Sequence, residues 1–161
     1  METIFEAKCE IPIKKEQEIE KLLGLEFVKE YLDTDFYLKS VDERNLKMKF
    51  TSDGRMMVYQ VVFEGGCFSI AGKQISEREK KSLVIKQPIE TEINRRKRAY
   101  VLRKFNVKVD FDDMKQFPGR LFLEIHSSKK SDVLKAKVWV GEMLGGKDFI
   151  QVPYDQLLKK D

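Results

Sequence analysis

The sequence predicts a mainly β protein of the α+β class, a closed antiparallel barrel or tunnel of about eight strands with helices flanking it. Three observations predict it. Polar and apolar side chains alternate with period two through most of the chain, Gly-containing turns separate the alternating runs, and only two stretches carry a helical period. A chain of 161 residues is the size of one domain, so residues 1–161 are expected to fold as a unit.

The first strand runs from Phe5 to Ile13, with Phe5, Ala7, Cys9, Ile11 and Ile13 on one face and Glu6, Lys8 and Glu10 on the other. Lys14 to Leu23 reads as a short helix with Ile19, Leu22 and Leu23 on one stripe and Gly24 as its C-terminal cap. Strands follow over Phe27–Tyr31, Thr34–Leu38, Leu46–Phe50 and Met56–Phe63, with Asp53-Gly54 marking a hairpin turn. Residues 64–92 hold Gly65-Gly66, a charged run from Glu77 to Lys81 and an apolar Leu83-Val84-Ile85. They are expected to supply one or two strands. Lys97–Leu102, Phe105–Phe111 and Arg120–Ile125 are again strand-like, the last two separated by Pro118-Gly119. Ser131 and Asp132 suit the start of a helix that runs to Leu144, with Val133, Ala136, Lys137, Val140 and Leu144 along one side. The apolar patch in Phe149–Leu158 is expected to pack back on the domain.

Composition excludes several classes. With 42% hydrophobic and 36% charged residues, the chain is neither disordered nor collagen-like. No apolar run approaches the ~20 residues of a membrane span, and the N-terminus lacks the layout of a signal peptide. A cytoplasmic protein with no membrane partner is expected. Cys9 and Cys67, without CxxC spacing, read as buried reduced thiols. The net charge of +4 does not by itself call for nucleic acid. An RNA-binding barrel built on the run Asn94 to Arg98 would need exposed aromatics beside it, and Tyr100 alone is thin support.

The chemistry sits in charges at alternate positions of one strand. Glu6 and Lys8, Lys47 and Lys49, Arg96 and Arg98, and Glu124 and His126 each share a face at period two. A closed sheet with such a face turned inward would line its interior with cations and carboxylates, as a polyanion bound with a divalent metal requires.

The order of these pairs resembles the CYTH superfamily, the triphosphate tunnel metalloenzymes, over nearly the whole chain. Ile4-Phe5-Glu6-Ala7-Lys8 is similar to the family's E-x-E-x-K strand and Asp33-Thr34-Asp35-Phe36-Tyr37 to its D-x-Y-F/Y strand. Leu46-Lys47-Met48-Lys49 resembles L-R-x-R, and Arg96-Lys97-Arg98-Ala99-Tyr100 resembles K-x-R with a nearby Tyr. Val109-Asp110-Phe111-Asp112 is similar to V-D-x-F, and Gly119 to His126 to G-L-x-x-x-E-I-E. A helix and a terminal tyrosine, here Tyr154, complete the pattern. The resemblance implies a tunnel in which Lys8, Lys47, Lys49, Arg96 and Arg98 bind the phosphates and Glu6, Glu124 and His126 hold Mg²⁺ or Mn²⁺. Lys8 and Glu124 are the implied catalytic pair. The partner it implies is a small-molecule triphosphate, polyphosphate or nucleotide, and unpaired strand edges or tunnel mouths leave a homodimer open.

The pattern also departs from the family. Ile4 stands at its first acid, with Glu2 as a substitute, and His126 at the second acid of its E-x-E pair. The central lysine falls near Val61, with Gln60 or Arg55 as stand-ins, and Glu77 and Glu79 are the nearest candidates for its middle acidic strand. A triphosphate phosphohydrolase is therefore weighed against a non-catalytic module that binds the same anions. In either case five cations around a pentaanion are expected to hold tripolyphosphate even without metal.

Overall fold

The computed structural model describes residues 2–41, 44–51 and 53–160. Eight strands, β1 (Glu2–Ile11), β2 (Glu26–Leu38), β3 (Leu46–Phe50), β4 (Met56–Glu64), β5 (Cys67–Gln74), β6 (Ile89–Leu102), β7 (Val107–Met114) and β8 (Leu121–Ser127), close into an antiparallel barrel. The order around it is β1-β5-β4-β3-β2-β6-β7-β8, and β8 returns to β1 with Lys8 opposite Glu124 and Glu6 opposite His126. Four helices, α1 (Glu16–Leu23), α2 (Glu77–Lys86), α3 (Lys130–Met143) and α4 (Tyr154–Lys160), complete the chain.

The barrel is polar inside and apolar outside. On β1 the apolar face carrying Ala7, Cys9 and Ile11 points out and is buried under α1 and α3, and the face carrying Glu6 and Lys8 points in. Tyr100 and Leu102 of β6, Val109 and Phe111 of β7, and Leu123 and Ile125 of β8 join this outer layer, against Ile19 and Leu23 of α1 and Val133, Ala136 and Val140 of α3. Each such side chain contributes about 1.5–3 kcal/mol of transfer free energy. The main core thus lies between barrel and helices, which leaves the lumen free for charge.

Three local expectations are corrected. The two strands expected over 27–38 are one, bent by an irregularity between Phe27 and Lys29 that lets it follow the barrel wall. The segment 64–92 holds a strand, the helix α2 and the start of β6. Ser76 caps α2 in a reciprocal capping box with Glu79, a signature readable in Ser76-Glu77-Arg78-Glu79. Glu77 and Glu79 therefore lie on an outer helix and not on an acidic strand. At α3 the cap position is Lys129, and Ser131 makes no side-chain cap there. Gly24, at φ 65°, ends α1 as expected.

Both cysteines are buried and free, and burial pushes the Cys9 thiol up to about 12, which keeps it unreactive. No helix is long and apolar enough to cross a membrane.

Candidate functional site

Six strands send pairs of charged side chains into the lumen. They are Glu6 and Lys8 from β1, Asp33 and Asp35 from β2, Lys47 and Lys49 from β3, Arg95 and Lys97 from β6, Asp110 and Asp112 from β7, and Glu124 with His126 from β8. Glu6, Lys47, Lys49, Arg95, Lys97, Asp110, Glu124 and His126 line a cavity of about 130 Å³ whose remaining wall holds Ile4, Tyr31, Tyr59 and Ile70. One end is plugged by an aromatic cluster of Tyr37, Phe117, Phe122 and Tyr154. Tyr154, brought in by α4, donates its hydroxyl hydrogen bond to Glu124 Oε2 at 2.8 Å. The tail packs back on the domain as expected, and its tyrosine becomes part of the site.

The register expected for β6 is off by one. Arg96 is exposed beside Glu30, and Arg98 points outward to Glu16 and Glu20 of α1 and to Tyr100. Arg95 and Lys97 take the lumen instead. Four consecutive basic residues put charge on both faces, so alternation of charge could not choose between them. The apolar residues could have: Tyr100 and Leu102 share parity with Arg96 and Arg98 and lie in the outer core. This split also dissolves the basic run Asn94 to Arg98 as a continuous surface, and Tyr100 is buried. Near the family's central lysine, Val61 belongs to an apolar cluster with Phe68 and Ile70, Gln60 is exposed, and Arg55 pairs with Asp53 in the hairpin. None supplies a lumen cation. Ile4 does line the cavity, so that acid position is apolar here, and Glu2 is exposed at the start of β1.

Each lumen cation has a carboxylate partner. Arg95 is the hub, with Nη2 3.0 Å from Asp33 and 2.8 Å from Asp35, and Nη1 3.4 Å from Glu124 and 3.5 Å from Asp112. Lys97 Nζ lies 2.7 Å from Glu124 and 3.3 Å from both Asp110 and Asp112. Lys47 donates to Asp35 at 3.2 Å, Lys49 to Asp33, and Lys8 lies 3.9 Å from Glu6, with its ammonium 3.7 Å above the Tyr154 ring and 4.6 Å from Phe68. Asp33, Asp35, Asp110 and Asp112 were present in the motifs but carried no assigned role. Their signal is parity, because on β2 and β7 each pair opposes the outward Phe36 or Phe111.

Burial opposes ionisation of Asp35, yet Arg95 and Lys47 overcome it and hold the carboxyl well below its usual range. Burial likewise opposes charge on Arg95 and Lys97, and the surrounding carboxylates raise both. Burial lowers Lys8 and Lys49. Asp112 and Glu124 divide: burial and the neighbouring Glu124 push Asp112 well above its usual value, while against burial Lys97 and Arg95 hold Glu124 well below. Of the two, Asp112 is therefore the carboxyl that protonates more readily. Five cations thus stand among six carboxyl groups, so the charges of the lumen largely offset one another. Asp110, held low by its hydrogen bond with His126 against burial, is ionised and accepts from His126 Nε2 at 2.9 Å.

Asp110, Asp112 and Glu124 bring one carboxylate oxygen each within 4.8 Å of one another. All three donors are hard oxygens, and the buried Asp112 Oδ1 has no hydrogen-bond partner, because Lys97 lies near it outside hydrogen-bonding geometry. The set fits Mg²⁺ or Mn²⁺. Glu124 is the member the sequence named, whereas Glu6 and His126 line the same cavity outside the triad. An ion bound there favours the ionised form of Asp112, the form that burial and Glu124 oppose. Affinity for Mn²⁺ should therefore rise with pH through the range in which Asp112 ionises. Titration calorimetry at two pH values should find tighter binding at the higher one; an affinity independent of pH would remove the ion from this triad.

No family model matches the sequence, and no curated protein matches it. Solved structures do. A protein of Pyrococcus horikoshii superposes with a TM-score of 0.71 at 17% identity, covering 96% of this chain and 98% of that one. A Hippeastrum protein provisionally assigned as an adenylyl cyclase, with a dominant triphosphatase activity, gives 0.60 at 10% identity over 99% and 96%. A Bacillus halodurans protein provisionally assigned as an adenylate cyclase gives 0.60 at 9% over 92% and 91%. The chain has the fold of these proteins. At these identities the likeness speaks for the fold alone, the closed eight-stranded antiparallel barrel that the sequence reading expected. In this lumen each of the five cations already has a carboxylate partner.

Proposed function

We propose that the lumen takes up a triphosphate or polyphosphate together with a divalent cation and hydrolyses its terminal anhydride bond. The observation that carries this reading is the convergence of Lys8, Lys47, Lys49, Arg95 and Lys97 with the Asp110–Asp112–Glu124 triad in one barrel lumen. The fold's likeness to a protein with triphosphatase activity supports it.

In this reading Lys47, Lys49 and Arg95 exchange Asp33 and Asp35 for phosphate oxygens, a trade of one set of charge-assisted hydrogen bonds for another. Asp110, Asp112 and Glu124 would hold Mg²⁺ or Mn²⁺, which supplies Lewis-acid charge to the phosphoryl group. Lys8, lowered by burial, is suited to pass a proton to the departing phosphate, and Tyr154 orients Glu124. Hydrolysis is preferred to cyclisation because no residue identifies a base-recognising or ribose-activating group.

A lumen of offsetting charges changes one expectation. A bare pentaanion would meet cations that already have partners, so anion and metal should enter together and not separately. Thermal unfolding should show a small shift with tripolyphosphate and EDTA. With Mn²⁺ the stabilisation should be larger, about 2.7 kcal/mol at a hundredfold excess over Kd.

The testing experiment is a phosphate-release panel of tripolyphosphate, thiamine triphosphate and ATP with Mg²⁺ and Mn²⁺. Metal-dependent release is expected, and Glu124→Gln should reduce it by about two orders of magnitude. That variant should keep or tighten anion binding, because Arg95 and Lys97 lose a competing carboxylate. The ion pairing of every lumen cation and the apolar Ile4 favour a second reading, a binding module. Metal-linked binding with no release from any triphosphate would establish that one and end the hydrolase.

A further inference from the structure

A cleft larger than the lumen cavity lies outside the barrel. Helix α2 crosses the outer face of β3, β4 and β5, but none of its residues is buried, and Leu83 and Val84 only partly cover the cluster of Met48, Met56, Val58 and Ile75 beneath. Between helix and sheet remains a groove of about 550 Å³, within the range of small-molecule sites. Its apolar lining is Leu46, Val58, Ala71, Ile75 and Leu83, all aliphatic, and among the described residues no aromatic ring lines it.

Its charge is unbalanced, unlike the lumen's. Arg44, Lys73, Arg78 and Lys86 stand around it, and none makes a salt bridge with a described residue. The one acid among the described lining residues, Glu79, accepts the Ser76 backbone N–H in the capping box. The cations without a salt bridge and the unfilled aliphatic floor therefore coincide, whereas in the lumen every cation is paired. An aliphatic floor gives a nucleobase nothing to stack on, but it suits a saturated chain. Four exposed cations suit an anionic head held at the rim.

We propose that this groove binds a single-chain alkyl phosphate or diphosphate, with the chain between α2 and the sheet and the head among Arg44, Lys73, Arg78 and Lys86. The chain would give α2 the buried contact it lacks, so ligand binding should order the helix against the barrel. The inference is independent of what the lumen does.

The probe is dodecyl phosphate below its micelle concentration, followed by calorimetry and by methyl NMR of the intact chain. Binding is expected, with resonance shifts at Leu46, Val58, Ile75 and Leu83 and none at the lumen residues Ile4 and Ile70. Shortening the chain should weaken it about fourfold per methylene, and inorganic phosphate alone should not compete at equal concentration. Saturating tripolyphosphate with Mn²⁺ should leave it unchanged. The pair Lys73→Glu with Arg78→Glu, and separately Leu83→Trp, which fills the groove, should each weaken binding about tenfold or more. Shifts at Ile4 and Ile70 instead, affinity independent of chain length, or recruitment to phosphatidate vesicles without binding of the monomer would each overturn the proposal. Because the shift map is read on the unmodified protein, it decides the matter even where a variant fails to fold.

Discussion

Arg95→Met should be the most damaging single substitution in the lumen, lowering stability by about 3–5 kcal/mol or more and Tm by roughly 10 °C or more. Arg95 bridges two carboxylate groups that otherwise do not meet, Asp33 and Asp35 on one side and Asp112 and Glu124 on the other. Methionine preserves much of the volume, so the loss isolates the charge. It strands carboxylates in a site where Asp35 is fully buried and its Oδ1 already lacks a hydrogen bond. The pH dependence provides a second check. In the parent protein the Asp35 carboxyl is depressed, so its contribution is complete above the ordinary carboxylate range and is lost only as pH falls below it. Without Arg95 the same carboxylate loses its main counter-charge and becomes easier to protonate. The gap between parent and variant should then narrow from neutral pH toward about pH 5. Chemical denaturation at the two pH values measures it. A gap of constant size would mean that Arg95 acts through packing and not through charge.

Lys97→Met should also destabilise the metal-free protein by about 3–5 kcal/mol, but here a divalent ion should reverse the effect. Lys97 Nζ sits among Asp110, Asp112 and Glu124, the three groups suited to a metal. It is a built-in cation that a metal must push aside. Removing it leaves three carboxylates with a reduced counter-charge, which weakens the fold and strengthens the attraction for Mn²⁺. Thermal unfolding in EDTA and in millimolar Mn²⁺ should show a larger metal-induced rise for the variant than for the parent. Tripolyphosphate binding should fall at the same time, since one clamp cation is gone. A variant destabilised equally with and without Mn²⁺ would show that these acids do not form the metal site.

How much of this was legible can be judged residue by residue. On β1, Ala7, Cys9 and Ile11 against Glu6 and Lys8 announce a two-faced strand, and both faces go where alternation sends them. Lys47, Lys49, Glu124 and His126 follow the same rule into the lumen. On β6 the rule had no contrast to work with, because Arg95 to Arg98 are all basic, and the motif was read one residue out of register. The helix α2 was hidden for another reason: its apolar residues, Leu83, Val84 and Ile85, form a run with no helical spacing, and only the Ser76–Glu79 box marks it. The aspartates were visible as letters, but not as a triad, since Asp110 and Asp112 meet Glu124 only once β7 and β8 are paired.

The sequence by itself determined strand periodicity, the polar parity of the lumen and the number and sign of the charges available to it. Tertiary structure decided which charges neutralise which. Arg95 finds Asp33 sixty-two positions away, and Tyr154 reaches Glu124 from thirty positions beyond it. Local pattern cannot encode such pairings, because they arise when closure of the barrel removes water from both partners, and a buried charge without a counter-charge costs several kcal/mol. That desolvation is why the charges of the lumen largely offset one another, where the letters alone suggested five cations waiting for an anion.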